Sequence, residues 1–254
     1  MQKLIAANWK MNKTVEESIL FIKQFKKLIK NIKNVEMVIC PPFTILYELE
    51  KQIKNSKIKL GAQNMHFEDF GAYTGEISPI MLREIGCEYV ILGHSERREI
   101  FNEGDFLINK KVIAALKHGL KPILCVGENL EQREKNKTNE VIEAQLKNCL
   151  KNIDENQIKK INIAYEPIWA ISKGDPHHKA ATKEDAEEGH NFIRYSIKKM
   201  FNEKISKKIK IIYGGSMKPE NAKELLSMPD IDGGLVGNAS LNAKSFAEIV
   251  NSAR

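Results

Sequence analysis

Residues 89–126, YVILGHSERREIFNEGDFLINKKVIAALKHGLKPILCV, contain the repeating unit that decides the fold. Two short apolar runs, Tyr89 to His94 and Pro122 to Val126, predict buried strands. Between them, Ile108, Val112 and Ala115 recur at helical spacing and predict an amphipathic helix. The segment is therefore a strand, a helix and a second strand, and a dense polar cluster begins where the first strand ends.

The same alternation extends in both directions along the chain. Short apolar runs predict eight strands, which are Lys3 to Lys10, Val35 to Pro41, Lys59 to Asn64, Tyr89 to His94, Pro122 to Val126, Asn162 to Glu166, Lys210 to Tyr213 and Gly234 to Gly237. Helical patterns lie between them, clearest in the stripe formed by Val15, Ile19, Ile22, Phe25 and Ile29. Eight such units in 254 residues predict an α/β fold, a closed (β/α)8 barrel that forms one domain over residues 1–254. An open doubly wound sheet would more often contain about five or six strands.

Composition places the chain among globular proteins with a sizeable core. Hydrophobic residues make up 42% of the sequence and charged residues 29%, which excludes intrinsic disorder. No apolar run approaches the roughly 20 residues that cross a bilayer, and no signal-peptide pattern follows Met1. The cysteines, Cys40, Cys87, Cys125 and Cys149, lack metal-binding spacing and predict reduced, buried thiols. We therefore expect a cytoplasmic protein without a membrane partner.

The charge balance is basic, with 40 lysines and arginines against 33 aspartates and glutamates, a net charge of +7. Such a surplus suits nucleic acid, a membrane surface or anionic metabolites. Most of the cations are lysines on predicted helices such as Ser18 to Lys33 and Lys198 to Lys210, where they alternate with apolar residues as on solvated faces. Only six are arginines and no stacking platform accompanies them, so we expect no nucleic-acid partner.

In a barrel of this type, chemistry belongs to residues at the C-terminal ends of the strands. Asn8 and Lys10 lie two positions apart at the end of the first strand, so alternation predicts that both side chains point into the barrel mouth. Lys10 would attract an anion there, although a surface lysine after a strand is the commoner case.

A histidine, His94, ends the fourth strand, and Ser95 is expected to cap the helical turn that follows. The positive end of a helix disfavours an imidazolium, so the neutral ring can donate a hydrogen bond to a carbonyl oxygen. A single histidine at a strand end is usually structural, but the polar cluster around this one favours a functional role.

A carboxylate, Glu166, ends the sixth strand between apolar residues, an environment that makes a carboxylate a stronger base. Pro167 fixes the backbone after it. The segment Ile168 to Asp175 predicts either a hinged lid or an ordinary long loop. His177 and His178 have no third ligand at metal-binding spacing, so we expect no metal site.

Glycine-rich loops follow the seventh and eighth strands, with the sequences Gly214-Gly215-Ser216 and Gly237-Asn238-Ala239-Ser240. Glycine lets the backbone approach a phosphate closely, and these two loops often hold a phosphate in barrels. The alternative for either loop is a tight turn between strand and helix.

Taken together, the motifs resemble the triosephosphate isomerase family over the whole chain. The matching stretches are Asn8 to Asn12, Gly61 to Asn64, Gly75 to Glu76, Gly93 to Arg98, Cys125 to Glu128, Ala164 to Ile171, Tyr213 to Ser216 and Leu235 to Gly237. The resemblance implies a TIM barrel and an enzyme that interconverts dihydroxyacetone phosphate and D-glyceraldehyde 3-phosphate through an enediolate. It also implies a cytoplasmic homodimer without a cofactor, acting in glycolysis and gluconeogenesis.

The family's roles carry over onto the matching residues. The resemblance implies that Glu166 is the base, and that a neutral His94 polarises the carbonyl and moves protons between the enediolate oxygens. Lys10, with Glu96 as its charge partner, would place positive charge near the phosphate and the oxyanion, while Asn8 donates a hydrogen bond. The implied substrate-binding residues are Asn8, Lys10, Ser172, Ser216, Gly237 and Asn238.

The segment Asn64 to Glu76 resembles the family's dimer arm, with Thr74 expected to reach the partner subunit's site. Two departures from the family pattern concern the phosphate. Ser172 stands where the family's lid has glycine, and the lid carries four further residues, Asp175 to His178. Asn238 replaces the last phosphate-binding glycine. A backbone N–H contact to the phosphate survives either change only if the new residue can adopt the needed φ, which asparagine does more readily than serine.

Two other functions remain compatible with the same fold. Another phosphosugar isomerase would use an acid-base pair at other strand ends. A non-catalytic barrel that binds phosphometabolites would keep the glycine loops but could lose Glu166 or His94, and both are present.

Overall fold

The computed structural model describes residues 2–171 and 180–254. Eight parallel strands follow one another around a closed barrel, in which each strand is hydrogen-bonded to the next and the eighth to the first. They are β1 (Lys3–Asn8), β2 (Val35–Cys40), β3 (Ile58–Ala62), β4 (Tyr89–Leu92), β5 (Lys121–Val126), β6 (Asn162–Tyr165), β7 (Lys210–Tyr213) and β8 (Gly233–Val236). The predicted (β/α)8 barrel is confirmed.

Helices connect the strands and surround the barrel. They are α1 (Val15–Leu28), α2 (Leu46–Ile53), α3 (Pro79–Glu84), α4 (Ser95–Glu99), α5 (Asp105–Lys117), α6 (Leu130–Glu134), α7 (Thr138–Cys149), α8 (Glu155–Ile158), α9 (Lys183–Met200), α10 (Glu203–Ser206), α11 (Pro219–Leu226) and α12 (Ala243–Ser252). Short 3-10 turns lie at Phe43–Ile45, Ile168–Ala170 and Asn238–Leu241. The longest two helices begin at threonine capping boxes, Thr14 with Glu17 and Thr182 with Asp185.

Six of the predicted strands extend too far at their C-terminal ends. Lys10, Pro41, Asn64, His94, Glu166 and Gly237 all lie beyond the strands that we predicted to contain them. Near two of these points the backbone leaves the extended conformation, since Lys10 (52°) and Gly93 (71°) have positive φ. Of the candidate site residues, Lys10, His94, Glu166 and Gly237 therefore lie beyond the regular ladder, whereas Asn8 is the last residue of β1.

Two lysine-rich segments predicted to be helical are wrong in extent. The first, Ser18 to Lys33, is helical only as far as Leu28, where α1 ends. The second, Lys198 to Lys210, spans the end of α9, the one-turn helix α10 and the first residue of β7. Asn202 caps α10 through its side chain and so starts a separate helix.

The core has two layers. The barrel interior is filled by Leu4, Ala6, Val38, Cys40, Tyr89, Ile91, Ile123, Cys125, Ala164, Ile212 and Leu235. A larger cluster fills the space between the strands and the helices, and it includes Ile108, Val112 and Ala115 of the predicted stripe on α5. In the stripe on α1, Ile22, Phe25 and Ile29 are buried, whereas Val15 is exposed.

All four cysteines are free and buried, as predicted. Burial raises the pKa of the Cys87 and Cys149 thiols to about 12. Among the described residues, no helix has the length and apolar character needed to cross a membrane.

Helix α9 packs tightly against the barrel. A Cβ on Gly189 would lie 2.2 Å from the Tyr165 ring, so only glycine lets α9 lie so near β6. His190 follows it, fully buried beside Tyr165 and Tyr213. Its Nδ1–H donates to the Ala186 carbonyl at 2.6 Å, while Nε2 has no hydrogen-bond partner among the described residues.

Acid should weaken the fold through His190. Burial, only partly opposed by the bond to Ala186, lowers the pKa of His190 to about 4, whereas an unfolded histidine has a pKa near 6.5. Between these values the unfolded chain binds a proton that the folded chain does not, so stability falls as pH falls. Between pH 7.5 and pH 5, the free energy of unfolding of the wild type should drop by about 2 kcal/mol more than that of His190→Gln. Urea unfolding at fixed protein concentration measures both, and parallel pH profiles would contradict this assignment.

Candidate active site

A cavity of about 680 Å³ opens at the C-terminal ends of the strands. It is lined by all of the predicted site residues that the structure describes, namely Asn8, Lys10, His94, Glu166, Ser216, Gly237 and Asn238. The remaining one, Ser172, and the predicted lid insertion Asp175 to His178 lie outside the described residues. Residues from β1, β4, β6, β7 and β8 thus meet in one place although they are far apart in sequence.

The base and electrophile candidates are in contact. Glu166 is buried, with its Oε1 atom 3.2 Å from His94 Nε2. Its Oε2 atom accepts a hydrogen bond of 2.9 Å from the backbone N–H of Ser95. Oε1 has no hydrogen-bond partner among the described residues. A buried carboxylate with one unpaired oxygen is an uncommon arrangement, and that oxygen is available to a proton from a ligand.

His94 is held by the helix that it starts. The residue is the N-cap of α4, and its own Nδ1 atom accepts a hydrogen bond of 3.2 Å from the backbone N–H of Glu96. The prediction that Ser95 caps this helix is therefore wrong, because Ser95 is already its first residue. A ring whose Nδ1 accepts carries its hydrogen on Nε2 when neutral. Nε2 is the ring nitrogen that lies 3.2 Å from Glu166 Oε1, although the two atoms do not have the geometry of a hydrogen bond.

Lys10 lines the cavity as predicted, but it does so from outside the strand, where side-chain alternation does not apply. It lies beyond β1 in the left-handed region, with φ of 52°, which is costly for a residue with a side chain. Two contacts hold it there: its N–H donates to Asn8 Oδ1 at 3.1 Å, and Gln63 Nε2 donates to its carbonyl at 2.9 Å. Its ammonium lies 2.6 Å from Glu96 Oε1, which is the predicted charge partner.

Glycines make room for Glu166. A Cβ on Gly127 would lie 1.8 Å from the Glu166 carbonyl oxygen, and one on Gly214 would lie 2.7 Å from Glu166 Cγ. The loops after β5 and β7 can therefore pack against Glu166 only with glycine at these positions. For the loop after β7, the sequence left open a phosphate-binding loop or a tight turn. Close packing on Glu166 is a further reason for glycine at position 214.

The other glycine-rich loop, after β8, begins a 3-10 turn. Gly237 is its N-cap and Asn238 its first residue. The first N–H groups of such a turn have no partner within it and can bind an anion. Asn238 is not among the residues with positive φ, so it occupies this position without a left-handed backbone conformation.

Sequence reasoning assigned no role to Glu128, although its motif was recognised. This fully buried carboxylate accepts hydrogen bonds from Trp169 Nε1 at 2.7 Å and from the Tyr165 hydroxyl at 3.2 Å. Burial raises the pKa of Glu128, and these bonds oppose the rise. Since Trp169 and Tyr165 flank Glu166, Glu128 braces the segment that carries the base. A carboxylate two residues after the end of a buried strand was the available signal.

The described part of the chain contains no group of three or more histidine, cysteine, aspartate and glutamate side chains arranged to hold a metal ion. The cations that line the cavity, among the described residues, are Lys10 and Lys218. The chemistry that these residues can perform is therefore proton transfer beside an anion-binding surface, with Glu166 as acceptor and His94 as hydrogen-bond donor.

Comparison with known proteins points to one family. A sequence model described as triosephosphate isomerase matches residues 3–253. The triosephosphate isomerase of Dictyoglomus turgidum is 53% identical over 251 residues, 99% of each chain. That of Aquifex aeolicus is 54% identical over 252 residues, 99% of this chain and 100% of the relative. The crystal structure of triosephosphate isomerase from Bartonella henselae superposes with a TM-score of 0.89 at 40% identity, covering 99% of both chains.

The hydrogen-bond pattern predicts the tautomer of His94. Because Nδ1 accepts from the Glu96 N–H, the neutral ring should carry its hydrogen on Nε2. In ¹⁵N NMR, Nε2 should therefore have the chemical shift of a protonated nitrogen and Nδ1 that of an unprotonated one. Glu96→Pro would remove the donor and serve as the comparison. A proton on Nδ1 in the wild type would contradict the N-cap assignment.

Proposed function

The chain belongs to the triosephosphate isomerase family, and we propose that it interconverts dihydroxyacetone phosphate and D-glyceraldehyde 3-phosphate through the residues of this cavity. The observation that carries the proposal is the contact between the unpaired Oε1 of Glu166 and Nε2 of His94. A non-catalytic phosphate-binding barrel would have no need of a buried carboxylate with an unpaired oxygen.

Glu166 is proposed as the base. In the direction from dihydroxyacetone phosphate, its carboxylate takes a proton from the hydroxymethyl carbon, and the electrons of that C–H bond form the double bond of an enediolate. The same carboxylate then returns a proton to the neighbouring carbon, which gives the aldehyde. A substrate carbon and its oxygen do not fit between two atoms 3.2 Å apart, so Glu166 must swing away from His94 when substrate binds.

His94 is proposed as the electrophile. Its Nε2–H would donate to the carbonyl oxygen while negative charge develops there, and then exchange protons between the two enediolate oxygens. Lys10 adds a positive charge, and its backbone is fixed by Asn8 and Gln63 before substrate arrives. The ammonium therefore needs little reorganisation during the reaction, which is what makes a fixed charge effective.

The phosphate is proposed to bind at the opposite side of the cavity from Glu166. Ser216, Gly237 and Asn238 line the cavity, and the Ser216 side chain and the first N–H groups of the turn after Gly237 would hold the phosphate, with Ser172 contributing as well. Lys10 connects the two halves, since a Cβ on Gly237 would lie 3.6 Å from Lys10 Cε. No cofactor enters this proposal.

We also propose that the enzyme is a cytoplasmic homodimer of glycolysis and gluconeogenesis. The support for the dimer is the arm between β3 and α3, where Phe70 is 77% and Tyr73 44% exposed. Met11, next to Lys10, is 95% exposed. Large apolar side chains in these positions favour a second copy of the chain as their cover.

Replacing the base tests the proposed reaction. In an assay coupled to glyceraldehyde 3-phosphate isomerisation, wild type should be active, and Glu166→Gln should have a kcat lower by roughly 10²- to 10⁴-fold, because the amide keeps the shape but not the basicity. Binding of a phosphate-bearing inhibitor should change little. Glu131→Gln, at an exposed carboxylate on α6, is the control and should behave as wild type. A Glu166→Gln enzyme within a few-fold of wild type would reject this base.

Shortening the arm tests the dimer. Removing residues 68–73 should take away Phe70 and Tyr73, so sedimentation should show a monomer, and activity should fall with it. Thr74→Ala should reduce activity while leaving the dimer, if Thr74 reaches the partner subunit's site. A shortened protein that is monomeric and fully active would rule out this role of the arm.

A further inference from the structure

The guanidinium of Arg98 makes contacts that the proposed reaction does not yet use. Its Nε donates to the Gly93 carbonyl at 2.7 Å, Nη1 to Asp105 Oδ1 at 2.6 Å and Nη2 to the Cys125 carbonyl at 3.2 Å. Nη2 also lies 3.7 Å from Cys149 Sγ. The side chain is only 14% exposed. Each of its three nitrogens therefore has a partner, and two of these partners are backbone carbonyls.

These two carbonyls lie directly next to the reacting pair. Gly93 is the residue before His94. Cys125 lies on β5 opposite Ala164, two residues before Glu166, and the neighbouring Val126 carbonyl accepts the Glu166 N–H at 2.8 Å. One planar side chain thus links the end of the strand that carries His94 to the strand that positions Glu166.

Arg98 also binds the backbone of His94 directly. Its backbone N–H donates to the His94 carbonyl at 3.1 Å within the first turn of α4. The same residue therefore binds the carbonyl before His94 with its side chain and the carbonyl of His94 itself with its main chain. The space beside Gly93 is filled, since a Cβ there would lie 3.0 Å from Arg98 Nη2 and 3.2 Å from the Cys125 carbonyl oxygen.

We propose that Arg98 is a positioning residue for isomerisation, which sets the place of the His94 ring relative to Glu166 by clamping the ends of β4 and β5 together. It touches neither substrate nor reacting atoms in this role. The inference rests on the proposed function, because its consequence for rate requires that His94 and Glu166 perform the chemistry.

The clamp requires a guanidinium. Lysine has the same charge, but its single ammonium cannot direct donors along the three fixed directions that reach Gly93, Cys125 and Asp105. In Arg98→Lys, the end of β4 should therefore lose at least one of its anchors. Misplacement of reacting groups by about 1 Å can cost up to about 10²-fold in rate.

The experiment compares Arg98→Lys with Arg194→Lys. Arg194 is buried to a similar degree, at 16% exposed, and likewise binds Asp230, Asp232 and backbone carbonyls, but these lie at the N-terminal ends of the strands. For Arg98→Lys we expect kcat, corrected for folded fraction, to fall by about 10- to 100-fold with KM within about threefold, because the phosphate and Lys10 contacts persist. For Arg194→Lys we expect lower stability and unchanged kcat.

A spectroscopic readout separates positioning from general loosening. The ¹H and ¹⁵N signals of His94 Nε2–H should shift in folded Arg98→Lys and stay in place in Arg194→Lys. If Arg98→Lys does not fold, Asp105→Asn decides instead, because it keeps Arg98 but removes the charge that orients the guanidinium. That variant should lower kcat about threefold to tenfold with KM unchanged and should shift the same signal.

Two results would overturn the proposal: a folded Arg98→Lys enzyme with wild-type kcat and an unmoved His94 signal, or equal loss of kcat in both arginine variants. If Arg98→Lys does not fold, wild-type kcat and an unmoved His94 signal in Asp105→Asn would overturn it equally. Failure of the proposed function would look different, since the wild type itself would then not isomerise glyceraldehyde 3-phosphate. The His94 signal would still report whether Arg98 holds the ring.

Discussion

The hydrogen-bonded ladder between β8 and β1 closes the sheet, and the position of every site residue depends on that closure. Leu4 pairs with Gly233 and Ala7 with Val236. Gly233 has a φ of 154°, and a Cβ there would lie 1.8 Å from the Leu4 carbonyl oxygen, so this pairing needs glycine. Because the first strand meets the last, Lys10 comes to lie beside Gly237. A cation near one end of the sequence thus faces the turn near the other end that is proposed to bind the phosphate.

The site is built where the regular ladder stops but backbone hydrogen bonding continues. The Glu166 N–H donates to the Val126 carbonyl at 2.8 Å, and the Gly214 N–H donates to the Tyr165 carbonyl at 2.7 Å, both past the assigned strand ends. These bonds fix the backbone of the loops to the sheet. Because the loops are not strands, their side chains need not alternate between the two faces. The loops can therefore direct side chains into the cavity that a continued strand would direct elsewhere, while keeping much of the sheet's rigidity.

The barrel and most site residues could be predicted from the sequence because both depend on local signals. Apolar runs separated by helical stripes define the strands, and polar residues after those runs mark the cavity. Local signals failed where a contact joins distant segments or the backbone leaves a regular conformation. Lys10 is held in its left-handed conformation by Gln63, which lies 53 residues away, and His94 caps its own helix. The spacing of residue types along the chain predicts neither the contact of Gln63 with Lys10 nor the capping of α4 by His94.

Glu166 lies so close to His94, with 3.2 Å between Oε1 and Nε2, that the proposed reaction requires its side chain to move. Its bond from the Ser95 N–H joins a charged acceptor to a backbone donor, the kind of hydrogen bond that contributes about 1.5–3 kcal/mol. In the proposed reaction, the movement of Glu166 breaks this hydrogen bond. Substrate binding has to offset the loss of the bond before any proton moves. Contacts to the phosphate, remote from the reacting carbons, are a suitable source, since binding energy from a non-reacting group can drive a rearrangement at the reacting one. The loops that contain Gly127 and Gly214 pack directly against Glu166, and Glu128 binds the flanking Tyr165 and Trp169. These contacts hold the backbone of Glu166, so the proposed movement belongs to its side chain. The proposed reaction therefore requires the proposed base, Glu166, to move while the proposed electrophile, His94, stays in place, so the contacts that hold His94 set the geometry of the pair.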